Sequence, residues 1–169
     1  MKRLLEFFNL KEDKKIINNL YDRFREEFPN ESEDALILFS CVAGLMARVA
    51  HVDFEIADSE KEHMKNALIH WMKIESKKAE ILTNISLEEL KNLQGMDTRK
   101  FCTPIVETTN VDTRFEILEA LFELAAADGE VSNDESNEIS FIAKTLNLEN
   151  KYFIAARANV KDYLTNLKK

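Results

Sequence analysis

The sequence contains little glycine, proline or cysteine. Its 169 residues include three glycines, two prolines and two cysteines. Folds built from strands need many tight turns, and tight turns use glycine and proline. The scarcity of both therefore favours long helices joined by few connections. Cys41 and Cys102 are too few for a disulfide framework, so we expect a cytoplasmic protein.

The chain also lacks the charge pattern of a nucleic-acid-binding protein. Its 23 basic residues are outnumbered by 31 acidic ones, the net charge is −8, and no basic run is longer than a pair. Binding to nucleic acid requires clustered lysine and arginine to neutralise phosphates. The composition therefore excludes nucleic acid and favours basic proteins, basic peptides or cations as partners.

No apolar stretch has the length of a transmembrane helix. The longest, residues 35–50, includes Ser40, Gly44 and Arg48, and a spanning helix needs about 20 residues. We interpret it as a buried central helix. The short apolar segment LLEFF at residues 4–8 either packs on the core or docks onto a partner. Peripheral membrane association through it is the weaker alternative.

Apolar residues recur at helical spacing along nearly the whole chain, and no segment shows sustained two-residue alternation. The pattern predicts an all-α, compact bundle of seven to nine helices. We expect an amphipathic N-terminal extension packed on a helical domain that contains two related hairpins. The predicted division is extension 1–30 and domain 31–169, the latter with repeat 1 at about 35–74, linker helices 75–110, repeat 2 at about 111–149 and a C-terminal helix 150–167.

Two capping boxes and one proline mark expected helix starts. Ser86 with Glu89 and Ser132 with Glu135 have the Ser-x-x-Glu spacing in which each side chain binds the backbone N–H of the other residue. Pro104 has no N–H to donate inside a helix. A helix beginning with Thr103 as cap and Pro104 at its first position would accommodate it. We expect a short or kinked segment there.

An internal repeat is the most informative feature. A shift of 75 residues aligns AHVDFEIADSE, residues 50–60, with AAADGEVSNDE, residues 125–135. Both segments follow an apolar helix, open an amphipathic one and share the pattern Asp-x-Glu-[Ile/Val]-x-x-x-Glu. The repeat predicts two pseudo-symmetric helical hairpins packed around one core.

The two acidic corners allow two interpretations. In the second copy, Gly129 supplies a left-handed helix end and Ser132 with Glu135 caps the next helix. In the first copy, Phe54 and Ala57 replace Gly129 and Ser132, yet the acidic residues remain. Carboxylates on a tight corner suit Ca²⁺ or Mg²⁺, and hairpins related by a two-fold could share one cation. Both interpretations stay open.

Other metal sites and catalytic motifs are not indicated. Counted from Asp128, positions 6 and 12 of an EF-hand loop would be Asn133 and Ile139, where glycine and glutamate are required. The chain has no zinc motif, no glycine-rich phosphate loop and no Gly-x-Ser-x-Gly elbow. Cys41 lies in the apolar helix, where a buried thiol is inert. We therefore expect a protein that is not an enzyme.

The segments LMARVAHVDFEIADSE and LAAADGEVSNDE resemble the two signatures of the TerB family, the tellurite-resistance-associated helical domain that is related to the helical domain of DjlA-type co-chaperones. Each signature is an alanine-rich helix followed by Ala-x-x-Asp-Gly-Glu-[Val/Ile]-x-x-x-Glu. Phe54 departs from it. The resemblance implies an all-helical, intracellular, stress-associated domain.

The resemblance also implies candidate ligands for a divalent cation, calcium in particular. They are the acids shared by both copies, namely Asp53, Glu55, Glu60, Asp128, Glu130 and Glu135. Asp58 and Asp134 are second-rank candidates, because each occurs in one copy only. No other cofactor is expected. The alternative is a protein-interaction or co-chaperone-type module without metal, in which the acids cap helices and the partner is a protein of unidentified nature.

Overall fold

The computed structural model describes residues 14–50, 58–93 and 97–164. These ranges contain eight α-helices and no strand, which confirms the predicted all-α bundle of seven to nine helices. Two short 3₁₀ segments, Ala126–Asp128 and Lys161–Tyr163, follow the sixth and eighth helices. The helices are α1 (Lys14–Glu27), α2 (Glu33–Ala50), α3 (Asp58–Met72), α4 (Ser76–Leu93), α5 (Arg99–Thr108), α6 (Val111–Ala125), α7 (Asn133–Thr145) and α8 (Asn150–Asn159).

Helix α2 is the centre of the bundle. It packs against α1, α3, α4, α5, α6 and α7, and most of its residues are buried, as predicted. A helix that is apolar on nearly all sides is stable in water only when other elements surround it. The predicted N-terminal extension is described from Lys14 onwards, where α1 packs against α2 and α4.

The two predicted hairpins are α2 with α3 and α6 with α7. They pack across each other, since α6 contacts both α2 and α3 and α7 contacts α2. Leu45, Leu68, Leu118 and Ile139, one from each helix, are fully buried in the shared core. The repeated helices thus form one hydrophobic core rather than two.

Gly44 marks a close approach of α2 to α5. A Cβ atom added to Gly44 would lie 2.3 Å from Cε1 of Phe101, whose ring is fully buried. Carbon atoms in contact are normally about 3.5–4.0 Å apart. Glycine is therefore required here by the Phe101 ring and not by a turn.

The predicted capping box at Ser86 and Glu89 is wrong. Both residues lie inside α4, which begins ten residues earlier at Ser76. The Ser86 hydroxyl donates to the carbonyl of Leu82 at 2.7 Å, and the Glu89 carboxylate accepts from Arg23 of α1 at 3.1 Å. The spacing matches that of a capping box, but these residues are helical because α4 is continuous and packs against its neighbours along its length.

The predicted helix start at Thr103 is also wrong. Helix α5 begins at Arg99, with Thr98 as the N-cap residue, and Pro104 lies inside the helix. A carboxylate oxygen of Asp97 accepts a bond from the Arg99 N–H at 3.0 Å and so covers one free amide of the helix start. Pro104 has no N–H, so the helix lacks one backbone hydrogen bond there. Burial of Phe101 and Ile105 stabilises the helix despite this loss.

The chain after α8 turns back onto the second corner. The sequence predicts a C-terminal helix over residues 150–167, but α8 ends at Asn159. The Val131 N–H donates to the Tyr163 carbonyl at 2.7 Å, and Val131 pairs with Leu164 in a parallel bridge. We call residues 160–164 the C-terminal strap. Burial of Val160 and Leu164 against the core explains why the helix does not continue.

The helices of the three described ranges were also compared with the dimensions of a lipid bilayer. None of their helices combines the length and the apolar character that crossing a bilayer would require.

Candidate functional site

The second acidic corner joins α6 to α7 through the 3₁₀ segment. Gly129 ends this segment in the left-handed conformation, with φ 99° and ψ 3°. Its N–H donates to the Ala126 carbonyl at 3.0 Å. Residues with a Cβ rarely adopt this conformation, so the predicted role of Gly129 is confirmed.

The capping box at Ser132 and Glu135 is also confirmed. The Glu135 N–H donates to the Ser132 hydroxyl at 3.1 Å, and the Ser132 N–H donates to the Glu135 carboxylate at 2.8 Å. Glu135 is buried, with 9% of its surface exposed. Its carboxylate therefore serves the start of α7 directly.

Asp128 is tied to the backbone of the same corner. One of its carboxylate oxygens accepts from the Glu130 N–H at 2.9 Å, which is an Asx-type turn. Asp128, Glu130 and the second-rank candidate Asp134 are all exposed to water. Val131 lies between the acids, fills the core at 1% exposure and is covered by the C-terminal strap.

The first acidic corner is described only in part. Asp53 and Glu55 lie outside the described residues, whereas Asp58 and Glu60 are in the first turn of α3. Asp58 forms an exposed ion pair with Lys61 at 2.9 Å. Glu60 is buried, with 7% exposure, and so matches its repeat counterpart Glu135. A buried glutamate in the first helical turn is thus common to both copies.

The packing brings α3 of the first copy against the second corner, because α3 contacts the Ala126–Asp128 segment as well as α6. Within the described part of the chain, however, no three His, Cys, Asp or Glu side chains are grouped as metal ligands would be. The four described candidates therefore do not make a cation site by themselves. A cation shared by both corners needs ligands from Asp53 or Glu55.

The thiols of Cys41 and Cys102 are buried and unreactive. Burial raises the pKa of the Cys41 thiol far above its usual value and that of Cys102 to about 12. The thiolate is the nucleophilic form, so both groups are protonated and unreactive at neutral pH. His63 and His70 are exposed on α3.

Sequence reasoning missed an ion pair that connects the two hairpins. Arg48, near the end of α2, donates to the Glu138 carboxylate of α7 at 2.5 Å, and the buried Thr98 hydroxyl donates to the same oxygen at 3.3 Å. Arg48 is the only charged residue within the long apolar part of α2. A lone charge in a buried helix requires a partner, and this was the available signal.

A second missed cluster lies where the α1–α2 turn meets α4. The Lys78 ammonium lies 4.7 Å from the ring centre of Phe28 and 4.8 Å from that of Phe39, and it pairs with Glu31. A cleft of about 540 Å³ opens beside it. Equal numbers of lysine and glutamate side chains line this cleft, so its charge selects neither anions nor cations.

One comparison with known proteins identifies a family. The family model described as Tellurite resistance protein TerB matches residues 39–158. The matched range contains both corners and, apart from the first six residues of α2, both hairpins, and it leaves out α1 and the C-terminal strap. No curated protein and no solved structure matches the chain.

Proposed function

Because the chain belongs to the TerB family, which is associated with tellurite resistance, we propose that it is a non-enzymatic module that acts by binding a protein partner. The proposal is supported above all by the second corner. There the carboxylates of Asp128 and Glu135 bind backbone amides of the corner itself. The acids of the motif then stabilise the hairpin, and the surface that binds the partner lies elsewhere on the molecule.

The absence of a catalytic role is part of the proposal. The groups with the strongest nucleophilic chemistry, the thiols of Cys41 and Cys102, are buried and protonated. We place the module in a cytoplasmic stress response, as its family relationship suggests, and a co-chaperone-type role would be one form of this function.

A divalent cation at the paired corners is the second candidate function. It is favoured by the contact between α3 and the Ala126–Asp128 segment, which puts the helix that follows the first corner beside the second. The water-exposed Asp128 and Glu130 are oxygen ligands of the kind that Ca²⁺ and Mg²⁺ take. This candidate needs Asp53 or Glu55 to complete the site.

Thermal unfolding with and without Ca²⁺ or Mg²⁺ separates the two functions. A cation bound only by the folded protein at a hundred times its dissociation constant adds about 2.7 kcal/mol of stability. We expect no such cation-dependent increase in the wild type. The matched variants are Glu55→Gln/Glu130→Gln, with one change in each corner, and Glu80→Gln/Glu107→Gln, with the same charge loss elsewhere.

A cation-dependent rise in melting temperature that disappears in the corner variant and persists in the control variant would reject the cap-only interpretation. It would establish the cation as the ligand of this module.

A further inference from the structure

We propose that the joint outer face of α6 and α8 binds a basic amphipathic helix of a protein partner. This inference rests on the proposed binding function and names its surface and the chemistry of its partner. Two features make up the face. One is an acidic row on α6, and the other is an apolar face on α8, which we define by Ile154, Ala155 and Ala158.

The acidic row consists of Glu116, Glu119 and Glu123. Their spacing of three and four residues places them on one side of α6. That side is opposite the buried residues Leu121 and Ala125. Along the helix axis the row extends over about 10 Å, given a rise of 1.5 Å per residue.

Folding does not account for the acidic row. Like charges at these spacings destabilise a helix. Glu123 is in the last turn of α6, where the helix dipole disfavours a carboxylate. Burial raises the pKa of Glu119, and the charges of Glu123 and Glu116 raise it further, while only a hydrogen bond from Asn159 acts in the opposite direction. None of these three carboxylates takes part in an ion pair within the described part of the chain.

The apolar face lies directly beside the row. Helix α8 packs on α6 through two ring contacts, Phe115 with Tyr152 at 5.2 Å and Phe122 with Phe153 at 5.6 Å. The Asn159 amide donates to Glu119 at 2.9 Å and so joins the edge of the face to the row.

The residues of the apolar face point away from the core. The inner side of α8 is marked by the fully buried Ala156. Ile154 is 57% exposed, the largest exposure among the large hydrophobic residues of the described ranges, and Ala155 and Ala158 are exposed next to it. Ala155 and Ala158 leave room beside the exposed isoleucine for the side chains of a partner, and Lys151, one turn earlier on the same side of α8, is paired with Glu149 at 3.2 Å.

Charge complementarity identifies the partner. An amphipathic helix presents apolar residues along one stripe and can carry lysine or arginine at intervals of three and four residues beside it. The apolar stripe would cover Ile154, and the basic residues would face Glu116 and Glu123 at the same axial spacing. A chain with a net charge of −8 also attracts such a helix from a distance.

The test is a fluorescence anisotropy titration with a synthetic helix of leucine and lysine about five turns long, with its lysines along one side. A peptide of the same composition in scrambled order retains the charge and loses the stripe. The protein variants are Glu116→Gln/Glu123→Gln, Ile154→Ser, and the control Glu80→Gln/Glu107→Gln, whose exposed acids are on α4 and α5.

We expect the helical peptide to bind the wild type more tightly than the scrambled one. Neutralising the row should weaken binding by about fivefold or more, the factor that two exposed ion pairs supply. The Ile154→Ser variant should weaken it comparably, and the control variant should stay within about twofold, because its carboxylates are on α4 and α5 and not on α6 or α8.

Equal losses in the two charge variants would mean that net charge alone drives binding and would overturn the proposal. Equal binding of the scrambled peptide, or none of either, would do the same. Size-exclusion chromatography adds a further outcome, since a dimer that Ile154→Ser abolishes would make a second copy the occupant of this face. Peptide binding that is unchanged by Glu116→Gln/Glu123→Gln would refute the proposed binding surface and leave the proposed function intact. The cation experiment tests that function separately.

Discussion

Replacement of Gly44 by alanine tests the packing at the centre of the fold. In an ordinary helix interior this change is favourable, because alanine exceeds glycine in helix propensity by about 1 kcal/mol. In α2 the new methyl group would lie 2.3 Å from Cε1 of Phe101 and 2.9 Å from two further carbons of the ring. The predicted effect on stability therefore has the opposite sign to the propensity effect.

The magnitude follows from the two opposing contributions. Extra methyl groups forced into a packed core cost about 1–3 kcal/mol. The upper part of this range applies here, because the Phe101 ring is fully buried and cannot swing into solvent. After subtraction of the propensity gain, we expect Gly44→Ala to lower the free energy of unfolding by about 1–2 kcal/mol.

Urea unfolding followed by circular dichroism measures this change, and a double-mutant cycle assigns it. Phe101→Leu removes ring atoms from the contact and leaves a small cavity of its own. In that background, Gly44→Ala should cost less than in the wild type, with a coupling energy of about 1 kcal/mol. Gly129→Ala is the comparison, because nothing lies within 4 Å of its Cβ position and its cost comes from a φ of 99° alone.

An equal or higher unfolding free energy for Gly44→Ala would refute the close approach of α2 to α5. So would a cost that is unchanged by Phe101→Leu, because the penalty would then not originate in the ring.

Two further predictions concern buried polar groups. The Thr83 hydroxyl is buried without a hydrogen-bond partner in the described part of the chain, so Thr83→Val should stabilise the protein by about 1 kcal/mol in the same urea assay, and a loss of stability would contradict this. Burial raises the pKa of both thiols in the folded state. Their contribution to the free energy of unfolding is therefore fully present below the unfolded pKa of about 8.5 and decreases as the pH rises above it. Between pH 8.5 and 10.5 each thiol should lower the unfolding free energy by up to about 1.4 kcal/mol per pH unit, and Cys41→Ala/Cys102→Ala should remove this slope if the reasoning is correct.

The parts of the structure that were predictable from the sequence depend on neighbouring residues. The left-handed Gly129 and the box of Ser132 with Glu135 are set by backbone geometry over a few residues, so their pattern is readable directly. The repeat extended this reasoning to the fold, since two copies of one corner require two similar hairpins.

The parts that were not predictable depend on distant contacts. Ser86 and Glu89 have the correct spacing for a cap, and only the partners of α4 in space show that they lie within a helix. The ring that excludes a side chain at Gly44 comes from another helix. Likewise, the ion pair between Arg48 and Glu138 joins residues that are far apart in the chain and adjacent in the bundle.

The C-terminal strap has a consequence for where this domain ends. Sequence similarity to the family stops at residue 158, but the amide of Val131 finds its acceptor at Tyr163. A recombinant fragment limited to the matched range would leave the Val131 amide without its hydrogen-bond acceptor and expose the apolar surface that Leu164 covers. The turn that carries the family signature would then be less stable. The structural boundary of the unit therefore lies beyond the similarity boundary, and fragments for expression should retain at least residue 164.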